Sequence, residues 1–185
     1  LRLTSDFKDL TNSNIIFLAI PSQTMRENLL KLKNVSNKNK PTFVVCSKGV
    51  EKRTNKLMSQ VIKDFFPSSK VAILSGPNFS SELIKRKPSA SVLASSSKIV
   101  LKEIAKYFSQ DKFRIYFNND IIGTQIGGTM KNIIAIACGY IHGCGLGENA
   151  KAAIITRGLS EIINLGLKMG AKRETFYGLS GIGDL

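Results

Sequence analysis

Over its first 118 residues the chain alternates between two hydrophobic periods, and this limits the fold more than any other feature. Short runs rich in β-branched residues at 15–20, 43–46, 71–74, 91–94 and 114–117 predict strands. Helical patterns at 25–33, 55–66, 80–87 and 97–108 fall between them. Strands separated by helices bury both faces in a mostly parallel sheet covered by helices, an α/β arrangement. After Phe117 the strand signals vanish. Asp120 can cap a helix running to about Cys138, and a glycine-rich loop then spans 139–147. Asn149 can cap a second helix, which ends near Met169 with Gly170 just past it, and 174–177 begins a third. The expected division is an α/β part, residues 1–118, followed by an all-α part, residues 119–185.

Composition narrows the functional classes. The chain is 43% hydrophobic and 22% charged over 185 residues, which suits a soluble globular protein. Its most apolar region, 133–155, is interrupted by His142, Glu148, Asn149 and Lys151, so no membrane span is expected. The net charge is +14, with basic residues spread along the chain. Lys31, Lys33, Lys38 and Lys40 crowd one segment without an interleaved aromatic, which argues against a nucleic-acid stripe. A solvated lysine-rich surface is expected instead, and its field would help to draw in small phosphorylated anions. Cys46, Cys138 and Cys144 match no zinc or redox spacing, and His142 is the only histidine. No metal site is expected, and a reducing, cytoplasmic compartment is the default.

The chemistry is expected at the carboxyl ends of the strands, where open parallel sheets bind ligands. One strand runs into Pro21-Ser22, the next into Ser47-Lys48-Gly49, and the third into Ser75-Gly76-Pro77-Asn78-Phe79. Each offers a hydroxyl, a lysine or free backbone N–H groups at the same edge. The helix after Asp120 adds a stripe in which Gly123, Gly127, Lys131 and Ala135 share one face. Glycine inside a helix costs about 0.5–1 kcal/mol relative to alanine, so something must approach this face closely. Tight helix packing would explain the glycines. A lone lysine amid such packing would be an expensive buried charge, so a ligand-facing wall with one reactive amine is the preferred expectation. Gly143-Cys144-Gly145-Leu146-Gly147 lacks the G-x-G-x-x-G spacing and follows a helix, so it is read as an interhelical turn.

In order and spacing the chain resembles the bacterial NAD(P)-dependent glycerol-3-phosphate dehydrogenase family. The resemblance rests on Ile20-Pro21-Ser22, Ser47-Lys48-Gly49-Val50-Glu51 and Ser75-Gly76-Pro77-Asn78-Phe79-Ser80-Ser81-Glu82. It continues through Gly127-Gly128-Thr129-Met130-Lys131-Asn132-Ile133-Ile134-Ala135-Ile136 and Gly147-Glu148-Asn149-Ala150-Lys151. Ile155-Thr156-Arg157-Gly158-Leu159-Ser160-Glu161 and Gly178-Leu179-Ser180-Gly181-Ile182-Gly183-Asp184-Leu185 complete it. It implies a partial Rossmann-like sheet followed by an incomplete helical domain. It also implies reduction of dihydroxyacetone phosphate to sn-glycerol 3-phosphate with NADH or NADPH, for glycerophospholipid synthesis.

Carried over by motif, Lys131 is the implied catalytic proton donor and acceptor, and Lys48 touches substrate and cofactor. Gly76, Asn78 and Asp184 are implied substrate contacts, and Pro21, Ser22 and Ser80 cofactor contacts. The family usually has Ser or Thr where this chain has Asn78. It often has Ala where this chain has Ser80, so that contact is expected through the backbone. The family's cofactor glycine loop would lie before Leu1 and its Ser-Arg-Asn phosphate motif after Leu185, so the piece alone is expected to be inactive. The expected partners are the small phosphorylated substrate and a second copy in a homodimer, with no nucleic acid. The alternatives are another two-domain dehydrogenase acting on 3-hydroxy acids or sugar acids, and a non-catalytic basic binding module.

Overall fold

The structure, a computed structural model, describes residues 2–35, 40–108 and 112–185. Leu1 and Lys38 lie outside the described residues. Five strands form one sheet in the order β1 (Ile15–Leu18), β2 (Thr42–Val45), β3 (Val71–Ser75), β4 (Ser89–Ala94) and β5 (Phe113–Asn118). All neighbours are parallel except β3 and β4, where Ile73 lies opposite Ala94 and Ser75 opposite Val92 in antiparallel register. The sheet is therefore mostly parallel, as the alternation predicts.

Side-chain alternation along β2 sorts the core. Phe43 and Val45 join Met25 and Leu29 of α1 (Met25–Val35) and Val61 and Ile62 of α2 (Met58–Phe65) on one face. Val44 points the other way, to Val100, Leu101 and Ile104 of α4 (Lys98–Ala105). Ser97 caps α4 by accepting a hydrogen bond from the Val100 N–H at 3.4 Å. A third apolar cluster joins Ile126 of α5 (Ile121–Gly143), Ile162 and Ile163 of α6 (Gly147–Lys168) and Phe176. Burying such a side chain contributes about 1.5–3 kcal/mol, so each layer holds its helix.

Several boundaries differ from expectation. The first strand stops at Leu18 rather than at residue 20. α2 begins at Met58, because the chain first doubles back through Asn55 in the left-handed region (φ 56°), pairing Val50 with Leu57. The short helix α3 (Ser80–Ile84) stops before residue 87, with Arg86 also left-handed at φ 52°. α5 does not end at Cys138 but runs through Gly143, since buried Ile141 keeps its last turns anchored. The predicted loop shrinks to the turn around Gly145 (φ +66°). α6 starts at Gly147 after Leu146, so Asn149 is a first-turn residue and not the cap. Residues Arg173–Tyr177 form a 3₁₀ turn rather than a third α-helix. Among the described residues, no helix is long and apolar enough to cross a membrane.

Candidate functional site

Asp120 begins the arrangement. Its Oδ1 accepts from the Gly123 N–H at 2.8 Å, capping α5 as predicted. Its Oδ2 accepts from the Lys172 N–H at 2.8 Å and the Thr175 hydroxyl at 2.7 Å. One buried carboxylate thus ties the end of the sheet to α5 and to the turn after α6. From Thr175 the backbone winds tightly, the Ile182 N–H donating to the Phe176 carbonyl at 2.9 Å and the Asp184 N–H to the Gly181 carbonyl at 3.0 Å. The winding delivers the Asp184 side chain, only 1% exposed, to the middle of α5.

There Asp184 meets two lysines. Its Oδ1 pairs with Lys131 Nζ from α5 and its Oδ2 with Lys48 Nζ from the loop after β2. Lys48 Nζ also donates to the Gly76 carbonyl at 3.1 Å. Gly76 adopts φ +132° at the end of β3, and a side chain there would press on Ser91 and Ala90 of β4. Residues 48, 76, 131 and 184, far apart in the chain, thus share one charged cluster. Two ammonium groups against one carboxylate leave an excess positive charge, which suits an anionic ligand or a developing oxyanion. Burial pushes Lys48 below the ordinary lysine range, an effect that the Asp184 pairing opposes and the Lys131 charge reinforces.

The loop after β2 is held on several sides. The Ser47 hydroxyl reaches the Leu18 carbonyl at 3.1 Å and the Ile20 carbonyl. The Gly49 N–H donates to Thr129 Oγ1 of α5 at 3.0 Å. Gly49 has φ +145°, and a Cβ built on it would sit 2.5 Å from Ser22 Oγ. The Lys48-Gly49 turn therefore lies directly against the end of β1. Pro21 is exposed there, and Ser22 and Lys48 are half-buried. Burial pushes the Cys46 thiol at the same edge up to about 11, which disfavours the thiolate at neutral pH.

The remaining candidates sit further out. Asn78 Oδ1 accepts from the hydroxyl of fully buried Ser91 on β4, which fixes the Asn78 side chain against the sheet. Ser80 opens α3 and is exposed, without a contact to Lys131 or Asp184. The glycine stripe departs from the ligand-wall expectation. A Cβ on Gly123 would strike Asp120 Oδ2 at 2.2 Å, and one on Gly127 would strike the Ser180 carbonyl oxygen at 2.1 Å. Gly123 is therefore packed against Asp120 and Thr175 and Gly127 against the final turn, the packing explanation, whereas Ala135 further along the stripe is exposed and Lys131 finds its partner in Asp184. At Gly128, one residue on, α5 faces the strand ends instead: a Cβ there would sit 2.6 Å from Ser75 Oγ and 3.6 Å from Lys48 Cδ. Sequence reading missed Thr129, Ser75 and Glu51. All three stand inside the motifs quoted above, but nothing in the spacing marks Thr129 as the partner of Gly49.

Comparison with known proteins agrees in both halves. Residues 1–100 match the family model described as NAD-dependent glycerol-3-phosphate dehydrogenase N-terminus, and residues 120–185 match the corresponding C-terminus. The glycerol-3-phosphate dehydrogenase [NAD(P)+] of Thermoanaerobacter sp. strain X514 is 44% identical over 100% of this chain and 56% of its own length. That of Zymomonas mobilis is 40% identical over 100% of this chain and 53% of its own length. The crystal structure of the Coxiella burnetii glycerol-3-phosphate dehydrogenase superposes with a TM-score of 0.92 at 35% identity, covering 97% of this chain and 55% of that one. This chain spans about half the length of the curated relatives it matches.

Proposed function

The chain belongs to the NAD-dependent glycerol-3-phosphate dehydrogenase family, and from that premise we propose that it carries the proton-handling centre of an enzyme reducing dihydroxyacetone phosphate to sn-glycerol 3-phosphate with NADH or NADPH. The observation that carries this reading is the Lys131–Asp184–Lys48 cluster, anchored on the Gly76 carbonyl at the ends of the strands. The dihydronicotinamide, when bound, supplies the hydride. The residues of this chain bind, orient and protonate.

Lys131 stands on a rigid helix, with its amine steered by a carboxylate that is itself buried. It is the donor that would stabilise negative charge on the substrate oxygen and deliver the proton. Asp184 orients both amines and keeps them apart. Lys48, held by the Gly76 carbonyl, would contact the substrate beside the reacting carbon and also reach the cofactor. Gly76 and Asn78 border the substrate, and Pro21, Ser22 and Ser80 line the path of the cofactor. We assign the α/β part to residues 1–118 and the catalytic helical part to 119–185. The role in glycerophospholipid supply, the cytoplasmic location and a homodimer belong to the same reading.

The test is a substrate panel on the full-length protein. Dihydroxyacetone phosphate should be reduced in preference to 3-keto acids and keto sugar acids. Lys131→Ala should lower turnover by about 10²–10⁴-fold with only a modest change in cofactor affinity. Equal turnover in the wild type and the variant removes Lys131 from the chemistry. Light scattering on the same sample reads the oligomeric state.

A further inference from the structure

Three residues beyond Lys48, the loop carries a buried carboxylate for which the mechanism above has no use. Glu51 is 6% exposed. Its Oε1 accepts from Arg26 Nε at 2.7 Å and its Oε2 from Arg26 Nη2 at 2.8 Å, a bidentate pair. Oε2 also accepts from the Thr54 hydroxyl. Arg26 lies in the first turn of α1; its Nη2 also reaches Asp64 of α2 at 2.8 Å, and its guanidinium lies over the Phe65 ring, 5.4 Å from the centroid. Lys56 holds the far side of Asp64 at 2.7 Å. The backbone around Glu51 is closed as well. Its N–H donates to the Lys56 carbonyl at 2.9 Å, and its carbonyl accepts from the Asn55 N–H at 2.8 Å. Gln23 hooks both flanking residues, donating to the Val50 carbonyl at 2.8 Å and accepting from the Lys52 N–H at 3.0 Å.

We propose that Glu51 is a positioning residue: clamped by Arg26 and Thr54, it holds the Lys48-Gly49 turn at the height where Lys48 meets Gly76 and Asp184. The geometry leaves little choice of anchor. Between Cys46 and Leu57 the loop has no regular secondary structure, so its shape depends on what grips it. On the inner side the grips are Ser47 on the β1 end and Gly49 on Thr129. On the outer side they are Gln23 and the Arg26–Glu51 pair. Ser47 and Gln23 each make two neutral hydrogen bonds and Gly49 one, whereas the Arg26–Glu51 pair is both charge-assisted and bidentate, the strongest kind available here. A planar guanidinium matched to a planar carboxylate fixes orientation as well as distance. A shift of about 1 Å in a group that must meet a substrate can cost on the order of 10²-fold in rate, so a brace three residues along the same loop has leverage on Lys48. The same pair links the end of β1, where the cofactor contacts are assigned, to the end of β2, where Lys48 stands.

This inference rests on the proposed dehydrogenase reading for its kinetic arm but not for its spectroscopic one. In the full-length enzyme, Glu51→Gln keeps the shape and removes the charge. At a temperature well below its melting point it should lower kcat/KM for dihydroxyacetone phosphate about tenfold, and Arg26→Gln should match it. The double variant should be no worse than Arg26→Gln alone, since the Arg26–Glu51 pair is already lost in both. Asp64→Asn, which leaves the Arg26–Glu51 pair in place while weakening the contacts of Asp64 with Arg26 and Lys56, should stay within twofold of the wild type. A non-kinetic readout comes from ¹³C-methylated lysines followed by NMR, with Lys48→Arg identifying the resonance. Freed from its buried setting in Glu51→Gln, Lys48 should titrate closer to the ordinary lysine value. If Glu51→Gln lowers the melting temperature yet leaves kcat/KM and the Lys48 titration at wild-type values, the brace is structural only and the proposal fails. If Glu51→Gln does not fold, Thr54→Val at an exposed position gives a weaker version of the same test, and unchanged values there count equally against it. If the wild-type enzyme does not reduce dihydroxyacetone phosphate, the functional reading falls while the Lys48 titration still decides the brace.

Discussion

Asp184 carries one negative charge and faces two ammonium groups, so its removal leaves both lysines crowded and uncompensated. Asp184→Asn in the full-length protein should therefore destabilise the fold by about 1–3 kcal/mol, the cost of leaving buried polar groups unmatched, and thermal unfolding measures it. A melting temperature that rises instead would mean that the carboxylate is not the anchor of the cluster. Glu51 allows a prediction in pH. Its hydrogen bonds from Arg26 hold its carboxyl below the usual carboxylate range against the opposing effect of burial, with Thr54 assisting and Asp64 nearby. A depressed folded-state pKa adds stability above the unfolded value, and that stability disappears as pH falls through the depressed value. The melting-temperature gap between wild type and Glu51→Gln should thus be steady above about pH 5 and close as the solution becomes more acid than about pH 4. A gap that widens in acid contradicts the assignment of the ion pair.

At the scale of one element, α5 shows how the same residue type serves opposite ends. Gly127 has the Ser180 carbonyl where its Cβ would go, whereas Gly139, later in the same helix, meets nothing within 4 Å. Gly127→Ala must push the final turn away and take Asp184 with it. It should destabilise by about 1–3 kcal/mol and lower turnover. Gly139→Ala should be neutral or stabilising by about 0.5–1 kcal/mol through helix propensity. Paired unfolding curves check both, and equal effects would show that the final turn is not seated on α5. The stripe also explains why sequence periodicity alone misjudged this face. Glycines spaced along a helix announce a close approach, but they carry no information about whether the approaching body is a ligand or the chain's own backbone. Lys131 was the informative residue, because an amine on a packed face requires a partner, and Asp184 provides one.

For the whole molecule, the net charge of +14 is distributed over many separate lysines, so its effect is a field rather than a binding stripe. A phosphorylated anion should be captured more slowly as salt rises. In the full-length enzyme kcat/KM for dihydroxyacetone phosphate should fall several-fold between about 20 and 200 mM salt, with kcat nearly constant, because screening shortens the reach of the field. A salt-independent kcat/KM would remove steering from the account.

The sequence by itself determined the order of strands and helices, the change to an all-helical pattern after Phe117, the Asp120 cap and the loops that follow the strands. These depend on local periodicity and on short-range capping chemistry, which are written in adjacent residues. It did not determine the antiparallel step between β3 and β4, the extension of α5 through Gly143, or the turn that packs against Gly127. Nor did it reveal that Asp184 would bridge Lys48 and Lys131 or that Arg26 would grip Glu51. These ion pairs join residues separated by 25 to 136 positions, and only the packing of the folded chain brings such charges within reach of one another.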